Sequence, residues 1–324
     1  MEKVKWGVLG TANIARGCTI PGMKLADNCE LYAIAGRNAE KAEAFREEFG
    51  FKKAYTGYDA LIEDPDVQAV YIPLPNNLHL KWVKAALNKG KHVLCEKPLA
   101  LNASDAREMF DTARENNVFL MEAYAYLHTP YIQSLKKDLA DGIIGDVDYI
   151  ESAFVTQGYK EDIRLYKDQG GGAMYDLGCY CTTMILSMID SKPAFVKASA
   201  EYSDLGVDLM TSAIIRFENG VRASFNVGMI LGKDTNARFD RLYIHGSKGC
   251  IRSDVEYNQA GDISYNIFTD NGVIERKISV PQNYSLETAQ LGRCILNGES
   301  PHVSSDFSIK NAELMDQVFK EIGY

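Results

Sequence analysis

Three short stretches of this chain carry residue types that can do chemistry together. Glu96-Lys97-Pro98 follows the apolar run His92 to Cys95, so a lysine held by a following proline stands at the carboxyl end of a predicted strand. A partly buried ammonium there can hydrogen-bond an oxygen and lower a neighbour's proton affinity by its charge. The triplet Gly170-Gly171-Gly172 leads into Ala173-Met174-Tyr175-Asp176-Leu177-Gly178-Cys179-Tyr180. If a helix starts here, Asp176 and Tyr180 lie four residues apart and share a face. A phenol can move the proton left over when hydride leaves an alcohol carbon. Its ordinary pKa of about 10 must then fall, at about 1.4 kcal/mol per unit, and a nearby ammonium such as Lys97 supplies that. Asp176 would hold a substrate hydroxyl or fix Lys97. The plainer alternative makes Tyr180 a core aromatic, Asp176 a helix cap and Glu-Lys-Pro a surface turn.

The third stretch is Gly10-Thr11-Ala12-Asn13-Ile14-Ala15, which closes the apolar run Val4 to Leu9 and opens a helix. Against the Gly-x-Gly-x-x-Gly pattern, Ala12 and Ala15 stand for the second and third glycines, and small residues let a pyrophosphate approach the helix-start amides. The second predicted strand ends Ala35-Gly36-Arg37-Asn38, with Lys41 one turn on and no acidic residue. This predicts NADP over NAD, because a carboxylate would take ribose hydroxyls and a cation a 2′-phosphate. Pro73, Leu74 and Asn76, in the turn after the strand ending at Ile72, offer backbone groups to ribose and nicotinamide, and Glu96 offers a carboxylate to the ribose. His79 counts as a cofactor neighbour whose imidazole is read as a packing group.

Elements that position these residues alternate from Lys3 to about Glu122. Strands are predicted at Val4 to Leu9, Leu31 to Ala35, Ala69 to Ile72, His92 to Cys95 and Val118 to Met121. Helices are predicted from Ile14, at Ala39 to Phe49 behind an Asn38 cap, at Leu78 to Lys89 and at Ser104 to Asn117. That order is an α/β doubly wound parallel sheet of the Rossmann type. Beyond Pro130 longer strand-like runs and hairpin signals at Asn219-Gly220 and Asn271-Gly272 predict an α+β domain with an open, mostly antiparallel sheet, closed by helices from Ser285 and Ser304. The domains are placed at 1–122 and 123–324.

Composition sets bounds on partners. The 324 residues are 46% hydrophobic and 24% charged with a formal net charge of -9, which argues against nucleic acid or an anionic membrane. No apolar run is long enough for a bilayer. Seven cysteines without a Cys-x-x-Cys pair read as reduced thiols in a cytoplasmic protein, and Cys179-Tyr180-Cys181 makes a poor metal site, so no metal is expected.

Taken together, Gly7 to Ala15, Ala35 to Asn38, Pro75-Asn76 with His79, Gly90 to Pro98 and the glycine triplet through Tyr180 resemble the glucose-fructose oxidoreductase/inositol dehydrogenase (Gfo/Idh/MocA) family. Inositol dehydrogenases place histidine where Tyr180 stands, so the chain is more similar to the branch of dimeric dihydrodiol dehydrogenases and NADP-dependent aldose 1-dehydrogenases. The resemblance implies Lys97, Asp176 and Tyr180 as the catalytic group, a Rossmann domain, and homodimers or homotetramers formed through the carboxyl-terminal sheet. The expected activity is NADP-dependent hydride transfer on a sugar, polyol or related cyclic alcohol, with Tyr126, His128 and Arg164 as further substrate contacts. A dinucleotide-binding sensor of the same fold that regulates without turnover is the alternative.

Overall fold

The computed structural model describes residues 2–324. Two compact units form, one from Met1–His128 with Pro281–Ile309 and one from Thr129–Val280 with Lys310–Tyr324. The first holds a six-stranded parallel sheet in the order β3-β2-β1-β4-β5-β6, built from β1 (Val4–Leu9), β2 (Cys29–Gly36), β3 (Lys53–Thr56), β4 (Ala69–Ile72), β5 (His92–Glu96) and β6 (Leu120–Ala123). Strands β4 and β6 are buried at every position, as a sheet covered on both faces requires. Helices α1 (Ile20–Leu25), α2 (Ala39–Phe49), α3 (Tyr58–Glu63), α4 (His79–Leu87) and α5 (Ala103–Glu115) connect them. Asn38 caps α2 by accepting the Lys41 amide at 2.8 Å, and Gly50, in the left-handed region, ends it. The segment expected as a plain helix from Ile14 is a π-helical turn, Ala15–Thr19, running into α1.

The second unit holds an eight-stranded sheet in the order β14-β13-β12-β11-β7-β10-β9-β8. Its strands are β7 (Val147–Gln157), β8 (Pro193–Tyr202), β9 (Asp208–Phe217), β10 (Arg222–Leu231), β11 (Arg238–Gly246), β12 (Gly249–Ser253), β13 (Gly261–Thr269) and β14 (Gly272–Val280). All pairings are antiparallel except β10 with β7. Both hairpin signals form turns, β9 to β10 through Gly220 (φ +89°) and β13 to β14, where Thr269 faces Gly272. Helix α6 (Pro130–Ala140) begins at the Thr129 cap, and α7 (Cys179–Met188) packs on β7 and β10. Along β9, Thr211, Ala213, Ile215 and Phe217 are buried while Ser212, Ile214 and Arg216 face outward, so one sheet face is core and the other open.

The division at 122/123 needs correction. Helix α8 (Asn283–Asn297) packs against α1, β1, β2 and β5 and belongs to the first unit, while α9 (Ser305–Ile322) spans the point where the chain passes to the second. Its buried face includes Asn283, Glu287, Thr288 and Gln290 beside Leu291 and Cys294, so these polar residues are core positions.

Candidate active site

In a parallel sheet the carboxyl ends of all strands lie on one edge, which here gathers the turns after β1, β2, β4 and β5. Gly10 follows β1 with φ +118°, and a Cβ there would stand 3.1 Å from Leu74 Cδ2 after β4, so only glycine keeps this approach open. Thr11, Ala12 and Ile14 stay half-buried and Asn13 exposed as the helix opens. Arg37 is exposed at the end of β2, its guanidinium near the Tyr58 hydroxyl, and Lys41 is exposed one turn later. The residues fit a dinucleotide carrying a 2′-phosphate: a glycine turn that a Cβ would fill, an exposed guanidinium and no competing carboxylate.

After β4, Pro73 and Leu74 are buried while Pro75 and Asn76 are half-buried. His79 is fully buried, its ring between the Leu74 carbonyl oxygen (Nε2, 2.8 Å) and that of Pro98 (Nδ1, 3.0 Å). Burial holds its pKa below the ordinary value, so the imidazole is neutral and donates to one of the two oxygens according to its tautomer. It ties two turns of the ligand edge together and does not present a nitrogen to a cofactor.

The Lys97 turn is braced from below. Thr19 Oγ1 donates to the Tyr71 hydroxyl (2.9 Å), which donates to Glu96 Oε1 (2.5 Å). Glu287 on α8 is wholly buried and neither carboxyl oxygen has a hydrogen-bond partner; burial first, then the Glu96 charge, push its pKa well up, so it is a neutral acid. Glu122 at the end of β6 accepts the Leu99 amide at 2.8 Å, and burial pushes its carboxyl up to about 7. Lys97 itself is half-buried, with a charge felt at both His79 and Glu122.

Tyr126 and His128, expected as substrate contacts, sit at 3% and 5% exposure in the 3-10 turn Ala125–His128. Tyr126 packs edge-on to Tyr124, and the His128 ring stacks on His302 with both nitrogens buried and without hydrogen-bond partners. Both side chains are buried in the first unit.

In the second unit Asp176 lies in a π-helical turn, Met174–Gly178, and Tyr180 in the first turn of α7. The i→i+5 bonding widens the turn, so the four-residue spacing stays within a single turn. The turn is set by the glycine triplet: a Cβ on Gly171 would stand 2.5 Å from the Arg164 carbonyl oxygen, and one on Gly172 (φ +114°) 2.2 Å from Asp208 Oδ1. Asp208, fully buried, accepts the Met174 amide (2.8 Å) and the Thr211 hydroxyl (2.7 Å), and the Tyr324 hydroxyl donates to the Gly171 carbonyl (2.7 Å). Arg164, expected at the substrate, is committed to Asp176, with Nε donating to Oδ2 at 2.6 Å while Nη1 holds Asp162 at 3.1 Å. Tyr180 is 8% exposed, its ring 5.5 Å from Phe154 and 5.1 Å from Tyr257, and its hydroxyl accepts from Asn258 Nδ2 at 3.3 Å. No spacing in the sequence points to Tyr71, Glu287, Asp208 or Asn258, because each is brought to its place only by packing between elements far apart in the chain.

Among the described residues, no group of three or more His, Cys, Asp or Glu is arranged to hold a metal, and no helix is long and apolar enough to cross a membrane. Residues 4–124 match the family model GFO_IDH_MocA, described as an oxidoreductase family with an NAD-binding Rossmann fold, and residues 132–252 match the GFO/IDH/MocA C-terminal domain. The chain is 31% identical to a trans-1,2-dihydrobenzene-1,2-diol dehydrogenase of Xenopus tropicalis over 98% of each chain. It is 30% identical to D-xylose 1-dehydrogenase (NADP(+)) 2 of Haloferax volcanii over 97% of this chain and 96% of that one. The crystal structure of KijD10, a 3-ketoreductase from Actinomadura kijaniata in complex with NADP and TDP-benzene, superposes with a TM-score of 0.93 at 30% identity, covering 99% of this chain and 98% of that one. The chain therefore belongs to the Gfo/Idh/MocA oxidoreductase family and is an enzyme of that family's Rossmann-plus-open-sheet fold.

Proposed function

We propose that the enzyme moves hydride between NADP(H) and a CH–OH or C=O group of a sugar, polyol or cyclic dihydrodiol. The observation that carries this reading is the gathering of the Gly10 turn, Arg37 and Lys97 on one carboxyl edge of the parallel sheet. Relatives named for xylose, dihydrobenzenediol and a keto sugar support the substrate class and favour turnover over the sensor alternative.

Bound NADP supplies or takes the hydride. Arg37, with Lys41 behind it, binds the 2′-phosphate, and the Gly10 to Ile14 turn the pyrophosphate. Glu96, fixed by Tyr71, and the backbone of Pro73 to Asn76 hold the ribose on the nicotinamide side. In oxidation Tyr180 takes the proton from the substrate hydroxyl, and in reduction it returns one to the carbonyl oxygen. The Lys97 ammonium donates a hydrogen bond to the substrate oxygen. Asp176, held by Arg164, accepts from a neighbouring substrate hydroxyl.

Oligomers form, in this reading, through the open face of the eight-stranded sheet. That face carries exposed Phe195 (40%) and Ile214 (56%) around a groove of about 340 Å³ that Tyr149 also lines, and a homodimer or homotetramer would cover it. Seven free cysteines, six of them buried, suit a cytoplasmic setting.

The test measures NADPH and NADH binding by nucleotide fluorescence beside turnover on aldoses, polyols and dihydrodiols. Wild type is expected to bind NADPH more tightly than NADH and to turn over at least one substrate class. Lys97→Ala and Tyr180→Phe are expected to keep NADPH binding within a few-fold and to lose turnover by at least a hundredfold. Saturable binding with no turnover on the whole panel would establish the sensor instead.

A further inference from the structure

The loop between β12 and β13 places Asn258 against Tyr180, and nothing in the proposed reaction so far uses it. Its side-chain amide donates to the phenol oxygen at 3.3 Å. Asn258 has left-handed backbone (φ +62°), a conformation that asparagine tolerates better than most residues. The loop is fixed there by an ion pair on the neighbouring strand. Arg238 Nε and Nη2 donate to Asp240 Oδ1 and Oδ2 at 2.8 and 2.6 Å, Arg238 Nη2 also donates to the Tyr257 carbonyl at 2.9 Å, and the Tyr257 amide donates to Asp240 Oδ2 at 2.7 Å. Tyr257 is tied from its other end, its hydroxyl 2.8 Å from Ser152 Oγ.

The consequence lies in the phenol's hydrogen-bond inventory. A tyrosine oxygen has one hydrogen and two lone pairs. An amide N–H aimed at one lone pair forbids the phenol hydrogen from pointing at Asn258, and the same N–H stabilises the oxygen once it is ionised. Groups near Tyr180 within this unit include the Phe154 and Tyr257 rings and the Arg238 guanidinium, which lies 4.5 Å from the Phe154 centroid and is close enough to feel a charge on Tyr180. Arg238 is itself balanced by Asp240 and by Glu256 at 3.5 Å.

We propose that Asn258 is a positioning residue for Tyr180: its amide directs the phenol proton toward the substrate oxygen and supports the phenolate, and the Arg238–Asp240 pair holds the loop that carries it. The catalytic part of this statement rests on the role of Tyr180 proposed above, whereas the coupling between Asn258 and Tyr180 is measurable without substrate or cofactor.

The experiment uses the full-length protein with fluorotyrosine incorporated, followed by fluorine NMR, with the Tyr180 resonance assigned by its loss in Tyr180→Phe. Asn258→Gly is the informative variant because glycine accepts the left-handed backbone, and its thermal midpoint is expected to match wild type. Removal of one donor should raise the Tyr180 titration midpoint by roughly half to one pH unit, about three- to tenfold in proton affinity. Asn258→Asp, which faces the oxygen with a carboxylate, should raise it further. An unchanged or lowered midpoint in Asn258→Gly overturns the proposal, a lowered one because it means that the amide oxygen was accepting the phenol proton. Tyr180→Phe assayed on the substrate panel tests the underlying reading separately: retained turnover removes Tyr180 from catalysis whatever the titration shows.

Discussion

Replacing His128 by phenylalanine should make the protein less sensitive to acid. The ring is 5% exposed, stacks on His302, and has two buried nitrogens without partners; burial, then the charges of His302 and Arg293, pull its pKa from the ordinary 6.5 down to about 3. The folded state therefore holds His128 neutral, while the unfolded chain binds a proton below about 6.5, so this contribution is intact above that pH and is lost as pH falls toward 3. Each unit of acidification within the window costs about 1.36 kcal/mol, which makes the His128 loss about 2 kcal/mol between pH 7.5 and 5. Glu122 works the other way over part of the range: with its folded pKa near 7 against an ordinary 4.5, it favours the folded state more as pH falls. That contribution is common to both proteins and cancels in the comparison. The assay is thermal unfolding of wild type and His128→Phe at pH 7.5 and 5. At pH 7.5 the variant should be at least as stable, since phenylalanine fills the same stack and removes two unpaired polar atoms. At pH 5 it should have gained about 2 kcal/mol relative to wild type, roughly 4–8 °C for a unit of this size. Parallel pH profiles for the two proteins would refute the reasoning, because they would mean that the imidazole is solvated or partnered in the folded state.

Arg37→Asp should weaken NADPH binding by roughly ten- to a hundredfold, the worth of about 1.5–3 kcal/mol for charge-assisted hydrogen bonds, and leave NADH binding equal or tighter; nucleotide fluorescence titration reads both, and an unchanged NADPH to NADH ratio would count against the 2′-phosphate assignment. Gly172→Ala should destabilise by about 2–4 kcal/mol, because it combines a φ of +114° with a Cβ 2.2 Å from a buried carboxylate oxygen, and a thermal midpoint within 2 °C of wild type, on the order of measurement differences at this size, would contradict that packing. Arg164→Met should lower kcat with NADPH affinity unchanged, since it removes the guanidinium bond to Asp176 without touching the nucleotide-binding residues; a change confined to nucleotide binding would contradict the positioning role.

Much of this architecture could be read before folding. Strands β1, β4 and β5 announce themselves as short apolar runs because they are buried on both faces, and α2 does so by its Asn38 cap and Gly50 stop. The segment Lys53 to Glu63 was missed because β3 is a four-residue edge strand with no buried position, so its pattern carries no period. The return of α8 to the first unit is not legible in chain order, and its buried Asn283, Glu287 and Gln290 carry no apolar signal for it. Lys97, Asp176 and Tyr180 are nameable because Pro98 follows the first and the glycine triplet introduces the segment that carries the other two. Asn258 is not, for its contact with Tyr180 joins positions 78 apart and exists only once Asp240 pairs with Phe154 across β11 and β7.

The two candidate halves share a device that pattern reading does not detect, a π-helical turn at the start of the ligand-edge helix. In the first unit Ala15–Thr19 places Thr19 in the core, where its hydroxyl begins the chain through Tyr71 to Glu96, the residue before Lys97. In the second unit Met174–Gly178 carries Asp176 to Arg164, and the next turn delivers Tyr180 to Asn258. An i→i+5 turn accommodates one residue more than an α turn and gives up regular hydrogen bonding, so it persists only where surrounding groups fix it. Here the fixing groups are visible: Gln282 Nε2 donates to the Cys18 carbonyl in the first turn, and Asp208 accepts the Met174 amide in the second. Both anchors lie far along the chain from the turns they hold. The geometry of each half is therefore set by contacts between positions far apart in the chain, which is why the catalytic candidates can be named from spacing while their orientation cannot.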